Sequence, residues 1–279
     1  MSSYLVPSQS TGKITGNGLR QLTLALVCWA GIYLMATAYS ASYPSRGIAS
    51  VANSGVLIAA LLIFPLVLRW TGALSVAHIA PQSPQHTRAF VKFCFIVTAF
   101  LWVCFAIAVV GIRRRGAVRW EQVVAAQWNT WQAIFRDLGI AAATLITMAV
   151  IGNLSNAVLG PLQCDDAALH SMVAQNMVEA LSFLILALTA GFVEEFIFRG
   201  YIQQQCYALF KSTVTASALQ VLIFTQGHFY QGWVRLIPVL LIGTLLTLVA
   251  LWRKTLVPGM IAHALGDGLV AFSYFAKHL

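Results

Sequence analysis

The chain has 279 residues, of which 59% are hydrophobic and only 9% are charged, and its mean hydropathy is +0.79. A water-soluble domain carries roughly 45–50% apolar and about 25% charged residues. The composition therefore excludes an ordinary soluble domain. Together with several uncharged runs of about 20 residues, it predicts an all-α, polytopic transmembrane helical bundle. The net charge of +9 does not indicate a nucleic-acid partner, because the basic residues lie in short loops where they contact lipid headgroups.

The apolar runs predict about eight membrane spans. Residues 1–20, rich in Ser, Gly and Thr, are expected to form a flexible N-terminal tail, and residues 21–279 a single membrane domain without an internal repeat. The spans are predicted at about residues 22–39, 51–68, 90–112, 138–159, 172–210, 214–229, 234–252 and 256–275.

Loop charges predict the orientation of the bundle. Cytoplasmic loops of membrane proteins carry an excess of Lys and Arg. With the N-terminus outside, the cytoplasmic loops contain the densest basic cluster of the chain. That set comprises Arg46, Arg113, Arg114, Arg115, Arg119, Arg136, Lys211, Arg253 and Lys254.

Two predicted loops contain polar side chains that could bind a cation. One loop has His78 and His86, and the other has Asp165, Asp166 and His170. Solvated loop residues are the simpler interpretation of both groups. Between residues 118 and 137, aromatic side chains recur at helical spacing with polar residues between them. This pattern predicts an amphipathic helix at the membrane surface, or alternatively a covered helix packed between spans.

The stretch Glu194-Glu195-Phe196-Ile197-Phe198-Arg199 places three charges in an otherwise apolar run. Such charges cost several kcal/mol in a membrane unless they are paired. On a helix, Glu195 and Arg199 are i,i+4 neighbours and can neutralise each other. Glu194 is rotated by about 100° from Glu195 and has no local partner. It therefore requires a partner from elsewhere in the chain.

Further ionisable residues lie within late apolar segments: His228 on the sixth predicted span, and His263 and Asp267 one helical turn apart on the eighth. Glu179, near the start of the fifth span, is expected at the membrane interface. A lone intramembrane histidine is often only a hydrogen-bond partner of a neighbouring helix. Several ionisable residues on separate spans instead indicate a functional site. Glu and His can activate a water as a base or by holding a metal, and His can stabilise an oxyanion.

These residues form three motifs in order: Glu194-Glu195-x-x-x-Arg199, Phe224-x-x-x-His228 and His263-x-x-x-Asp267. They resemble the EExxxR, FxxxH and HxxxN or HxxxD motifs of the CAAX prenyl endopeptidase and bacteriocin-processing (CPBP, or abortive-infection) family of intramembrane proteases. The resemblance places the catalytic core helices at residues 172–275. The first four spans carry no signature of the family.

The resemblance implies that Glu194 and His228 activate the attacking water, and that His263 and Asp267 stabilise the oxyanion. Glu195 and Arg199 would form a structural ion pair. Glu194, His228 and His263 would also be the candidate ligands of a metal, Zn²⁺ or another divalent ion. The implied partners are membrane lipid and a peptide or lipidated-protein substrate, and the implied location is the bacterial inner membrane.

Two questions stay open at this stage. A carboxylate donates no hydrogen bond unless it is protonated, so Asp267, in place of the Asn of many relatives, could instead orient His263 or ligate a metal. The alternative function is non-catalytic: a transporter, or an immunity or scaffold factor, that uses the same polar cluster to bind a ligand. Transport is less favoured because the sequence shows no inverted repeat.

Overall fold

A computed structural model describes residues 47–80, 83–116, 118–159, 173–232 and 234–276. Helices make up most of this part of the chain, and none of its residues forms a β-strand, which confirms the all-α prediction. The predicted tail, the first predicted span and the group Asp165, Asp166 and His170 lie outside the described residues.

We number the α-helices in chain order. They are α1 (Val51–Trp70), α2 (Pro84–Arg115), α3 (Trp120–Val124), α4 (Trp131–Leu159), α5 (Met177–Glu195), α6 (Gln203–Phe210), α7 (Thr213–Gly227), α8 (Leu236–Arg253) and α9 (Val257–Ala276). A π-helix, Phe196–Ile202, joins α5 directly to α6, and short 3₁₀ turns occur at Ala73–His78 and Phe229–Gln231.

In the part of the chain that the structure describes, five helices are long and apolar enough to cross a membrane: α1, α2, α4, the continuous α5–π–α6 helix and α8. The predicted extension of the fifth span to Phe210 is thereby confirmed. Helix α7 has 15 residues, fewer than the ~20 that a perpendicular crossing requires, and α9 occupies the eighth predicted span. The total of about eight spans stays a prediction.

Helix α5 lies at the centre of the bundle and packs against α2 and α9. The approach to α9 is close because Gly191 has no side chain. A Cβ atom at Gly191 would lie 2.6 Å from the backbone nitrogen of Ala264. The remaining helices surround this pair, with α4 packed on α8 and α9, and α7 packed on α6 and α8. The close contact brings the carboxylates of α5 within reach of the ionisable residues of α9.

The start of α2 corrects the prediction for His86. Ser83 caps this helix by accepting a hydrogen bond from the backbone N–H of His86, and Pro84 occupies its first turn. The helix therefore begins before His86, which is fully buried and donates from Nδ1 to Glu179 Oε1 at 3.1 Å. The interpretation of His86 as a solvated loop residue is wrong.

Glu179 lies in the first turn of α5, at the end of a predicted span, but its side chain is fully buried. Besides His86, it accepts hydrogen bonds from Thr87 Oγ1 at 2.7 Å and Asn176 Nδ2 at 3.0 Å through Oε1. The backbone N–H of Gln175 donates to Oε2 at 2.7 Å. The carboxylate thus fastens the first turns of α2 and α5 to each other.

The single amphipathic helix predicted between residues 118 and 137 is wrong. Helix α3 ends at Val124, because the next residue, Ala125, has a left-handed backbone with φ of 52°, and α4 begins only at Trp131. The carbonyl of Val124 accepts a hydrogen bond from the N–H of Leu256 at 3.1 Å, which holds α3 against the connection between α8 and α9. Val123 is buried there, whereas Trp131 is 74% exposed, so the segment is divided between a covered part and an exposed part.

Basic side chains concentrate at one end of the bundle, which we call the basic end. It contains the last turns of α2, α6 and α8, the first turn of α4, and α3. Arg253 on α8 pairs there with buried Asp137 on α4 at 3.0 Å. The described residues at this end include Arg113, Arg114, Arg115, Arg119, Arg136, Lys211, Arg253 and Lys254, whereas Arg69, Arg88, Lys92 and Arg235 lie towards the opposite end. The orientation of the basic end towards the cytoplasm stays a prediction.

Candidate active site

The four candidate catalytic residues come from three helices. Glu194 lies in the last turn of α5, His228 caps the C-terminal end of α7, and His263 and Asp267 lie on α9. The carboxylates of Glu194 and Asp267 lie beside the imidazole ring of His263. His228 approaches the same region through Phe224, whose ring centroid lies 4.7 Å from that of His228 and 6.3 Å from that of His263.

The ring of His263 has carboxylates on both of its nitrogen sides. Nδ1 lies 2.9 Å from Glu195 Oε1, and because a carboxylate only accepts, Nδ1–H is the donor. Nε2 lies 3.6 Å from Asp267 Oδ2 and 3.9 Å from Glu194 Oε2. The orientation of the ring is therefore fixed by Glu195, a contact that the sequence motifs did not reveal.

Glu195 also forms the expected pair with Arg199. Arg199 Nη1 donates to Glu195 Oε1 at 3.0 Å, and both side chains are buried. The same oxygen accepts from His263. Glu195 thus links the guanidinium on one side to the imidazole on the other, so its role extends beyond neutralising Arg199.

Helix α8, which carries none of the motifs, supplies further partners of Arg199. Nη2 donates to the carbonyl of Gly243 at 2.9 Å, and Nε donates to Thr247 Oγ1 at 3.4 Å. Thr247 Oγ1 also accepts from buried Gln220 Nε2 at 2.5 Å. The guanidinium carbon lies 4.5 Å from the centroid of the Phe224 ring. The sequence signal for these residues was weak, because a threonine in an apolar helix often bonds only to its own backbone.

The backbone changes from α-helix to π-helix immediately after Glu195. Such π segments are rare in proteins overall, but where they occur they often lie at functional sites. Gly200 lies within this segment, and a Cβ atom there would lie 2.5 Å from Val123 Cγ1 and 3.0 Å from Leu256 Cδ1. The absence of a side chain therefore lets α3 and the start of α9 pack directly on the wider turn.

Two potential acceptors in the site have no competing partner. Glu194 Oε2 is buried and makes no hydrogen bond among the described residues, and its side chain is 12% exposed. His228 donates from Nδ1 to the carbonyl of Phe224 at 2.9 Å, which leaves its Nε2 as an acceptor when the ring is neutral. A buried oxygen without a partner needs a water or a ligand. Asp267, with a side chain 42% exposed, lies at the more open side of the group.

Within the described part of the chain, no three His, Cys, Asp or Glu side chains are arranged to hold a metal ion. The predicted ligand set of Glu194, His228 and His263 is therefore not assembled in this geometry. Binding of Zn²⁺ or another divalent ion stays a prediction, which metal analysis of the purified protein tests.

The fold and site define an integral membrane protein in which a set of ionisable residues meets between apolar helices. Residues 176–269 match the Rce1-like family, described as type II CAAX prenyl endopeptidase Rce1-like. The chain therefore contains an Rce1-like domain, which confirms the family resemblance of the motifs. This domain begins at the capping residue of α5 and includes every motif residue named above. No curated protein and no solved structure matched the chain.

The buried pair yields a test with a matched control. Glu195→Gln leaves Arg199 without a counter-charge and weakens the support of His263. Breaking one side of a buried pair costs about 3–5 kcal/mol, so we expect a lower yield of folded protein in detergent and a lower Tm. The same change at Glu121, in the exposed pair with Arg119, should alter neither quantity. Equal yields and Tm values for the two variants would contradict the structural role of Glu195.

Helix α8 gives a second test. Thr247→Val keeps the shape of the side chain but removes the acceptor of Arg199 Nε and Gln220 Nε2. Leaving buried donors unsatisfied costs about 1–3 kcal/mol, so thermal unfolding in detergent should shift to lower temperature. The control is Thr244→Val on the same helix, because Thr244 is exposed and its hydroxyl bonds only to the carbonyl of Leu240 among the described residues. Unfolding at the same temperature in both variants would show that α8 does not support Arg199.

Proposed function

We propose that the chain is an intramembrane endopeptidase of the CAAX type, and that it hydrolyses a peptide bond with a water activated by Glu194 and His228. The match of residues 176–269 to the Rce1-like family supports a protease of this class. The observation that carries the mechanism is the buried, unpartnered Oε2 of Glu194 beside the imidazole of His263.

Glu194 is the general base. Its free oxygen accepts a hydrogen bond from the attacking water, and the water proton moves to the carboxylate as the water oxygen bonds to the carbonyl carbon of the substrate. The protonated Glu194 then delivers this proton to the leaving amine as the carbon–nitrogen bond breaks. Glu195 is the less suitable base, because its carboxylate is paired with the guanidinium of Arg199 and accepts from His263 through Oε1.

His228 holds the second hydrogen of the same water through Nε2. The hydrogen bond from its Nδ1 to the carbonyl of Phe224 supports this role, since it fixes the tautomer and the direction of the ring. Contact of Phe224 with both imidazoles and with the guanidinium of Arg199 supports the placement of the ring next to the group around His263.

His263 stabilises the oxyanion. When protonated, it donates from Nδ1 to Glu195 and has Nε2–H available for the negative oxygen of the tetrahedral intermediate. Asp267 lies 3.6 Å from that nitrogen and accepts rather than donates when ionised. We therefore assign Asp267 a positioning role, in which it orients and favours the charged ring of His263.

The substrate we propose is a peptide or a lipidated protein that reaches the site from the membrane of a bacterial cell. Exposed apolar side chains support a lipid environment, and those on α4 include Ile146, Val150, Leu154 and Val158. The substrate class rests on the family description, type II CAAX prenyl endopeptidase.

Cleavage by purified protein tests the function. In proteoliposomes, the wild type should cleave a prenylated peptide with a C-terminal CAAX sequence or an unprenylated membrane-inserted peptide. Glu194→Gln and Glu194→Ala should abolish cleavage, because neither side chain accepts the water proton, while the Tm stays close to that of the wild type. Glu121→Gln is the matched control and should remain active. Full activity of both Glu194 variants would contradict the assignment of Glu194 as the general base. A wild-type protein that binds the peptide but does not cleave it would favour the non-catalytic alternative.

Two substitutions of Asp267 distinguish a role in positioning His263 from a role as a hydrogen-bond donor to the oxyanion. If Asp267 orients His263, Asp267→Asn should retain activity within a few-fold, because the amide keeps a polar oxygen of the same size beside the ring of His263. Asp267→Ala should lower kcat at least about ten-fold, which corresponds to about 1.4 kcal/mol of transition-state stabilisation. The measurement is kcat and KM for all three proteins on the same peptide. Equal kcat values for the Ala variant and the wild type would remove Asp267 from the mechanism.

A further inference from the structure

A cavity of about 740 Å³ opens at the basic end of the bundle. Its lining comes from α3, the π-helix, α6, α7, α8 and the connections between them, and none of the four candidate catalytic residues belongs to it. Ligand pockets usually measure about 300–1,000 Å³. The cavity is therefore large enough for a small molecule or a lipid headgroup.

The charged residues that line the cavity are all cations. Arg199 is buried and lies at the floor, whereas Lys211 and Lys254 are exposed and lie at the mouth. Gln122, Gln203 and Gln204 also line the cavity, and no Asp or Glu lines it among the described residues. A ligand with negative charge and several hydrogen-bond acceptors suits this lining.

Arg199 and the two lysines retain N–H groups for a ligand, and one N–H of Lys211 Nζ is used on the carbonyl of Ala208. Arg199 uses three of its five N–H groups on Glu195, Gly243 and Thr247 among the described residues. Lys211 and Lys254 occupy left-handed positions at helix ends, with φ of 55° and 54°, where glycine is the usual residue. A lysine in such a position complements the helix C-terminus, and it also directs a long flexible cation to the mouth of the cavity.

Apolar residues form much of the remaining wall. They favour a ligand that has an apolar chain as well as a negative charge over a fully soluble anion. Ile48, Val123, Leu251 and Leu256 line the cavity beside the polar groups. Three candidate membrane spans also end on this side, at Arg115, Phe210 and Arg253, and the ends of spans are where lipid headgroups are expected. A phosphate at the mouth with its apolar chain along the walls would therefore satisfy both parts of the lining.

We propose that this cavity binds the phosphate headgroup of an anionic phospholipid. The headgroup contacts Lys211 and Lys254 and extends towards Arg199. Because Arg199 shares Glu195 Oε1 with His263, the bound lipid stabilises the same charged network that positions the imidazole. None of the four candidate catalytic residues lines the cavity, so lipid binding is measured without cleavage and stands or falls apart from the proposed peptidase activity.

The test measures Tm of the full chain in detergent during titration with phosphatidylglycerol, phosphatidylcholine or inorganic phosphate. Phosphatidylglycerol should raise the Tm of the wild type and reach saturation, because a ligand of the folded state stabilises it. Phosphatidylcholine and inorganic phosphate at the same concentration should not. In the double variant Lys211→Gln/Lys254→Gln, binding of phosphatidylglycerol should weaken at least about ten-fold, because each cation near an anionic headgroup contributes to the free energy of binding.

Two further variants distinguish the cavity from general attraction to a basic surface. Arg113→Gln/Arg114→Gln removes two exposed cations at the same end that do not line the cavity, and it should bind phosphatidylglycerol like the wild type. Ala208→Trp narrows the cavity without changing charge and should weaken binding. Equal weakening in the two double variants would overturn the proposal. An equal response to inorganic phosphate would overturn the lipid as the ligand.

Discussion

The structure depends on one buried oxygen. Glu195 Oε1 accepts from Arg199 at 3.0 Å and from His263 at 2.9 Å, and so it connects α5 to the imidazole of α9. Arg199 in turn bonds to the carbonyl of Gly243 on α8. Unpaired charges in an apolar bundle are costly, so each of these groups requires the others. The arrangement of α5, α8 and α9 around the site follows from this requirement.

The two adjacent glutamates, Glu195 and Glu194, have different roles in the site. Oε1 of Glu195 is shared by two donors, whereas Oε2 of its neighbour Glu194 is buried and has no partner among the described residues. A scaffold that holds the Glu195 network in place can also hold a reactive acceptor beside it, whereas a site made mostly of unsatisfied groups would be unstable. The close approach at Gly191 and the π-helix after Glu195 provide the geometry for this division of roles.

The residues of the fold show where sequence reasoning succeeds and where it stops. Long apolar runs predicted the helices, and i,i+4 spacing predicted both the Glu195–Arg199 pair and the proximity of His263 to Asp267. Spacing along one helix carries no information on other helices, so Thr247 and the contact of Glu195 with His263 were missed. The position of His86 was also missed, because the cap at Ser83 extends α2 and its partner Glu179 lies far away in sequence.

The sequence by itself determined a helical membrane protein, the three motifs and the residues to which the chemistry is assigned. Those features depend on composition and on local spacing, which the chain carries directly. Only the tertiary structure decided that Glu195 serves two partners, that α8 supports Arg199 and that α3 and α4 are separate helices. Each of these depends on contacts between distant segments, such as the bond from the N–H of Leu256 to the carbonyl of Val124, which local propensity does not encode.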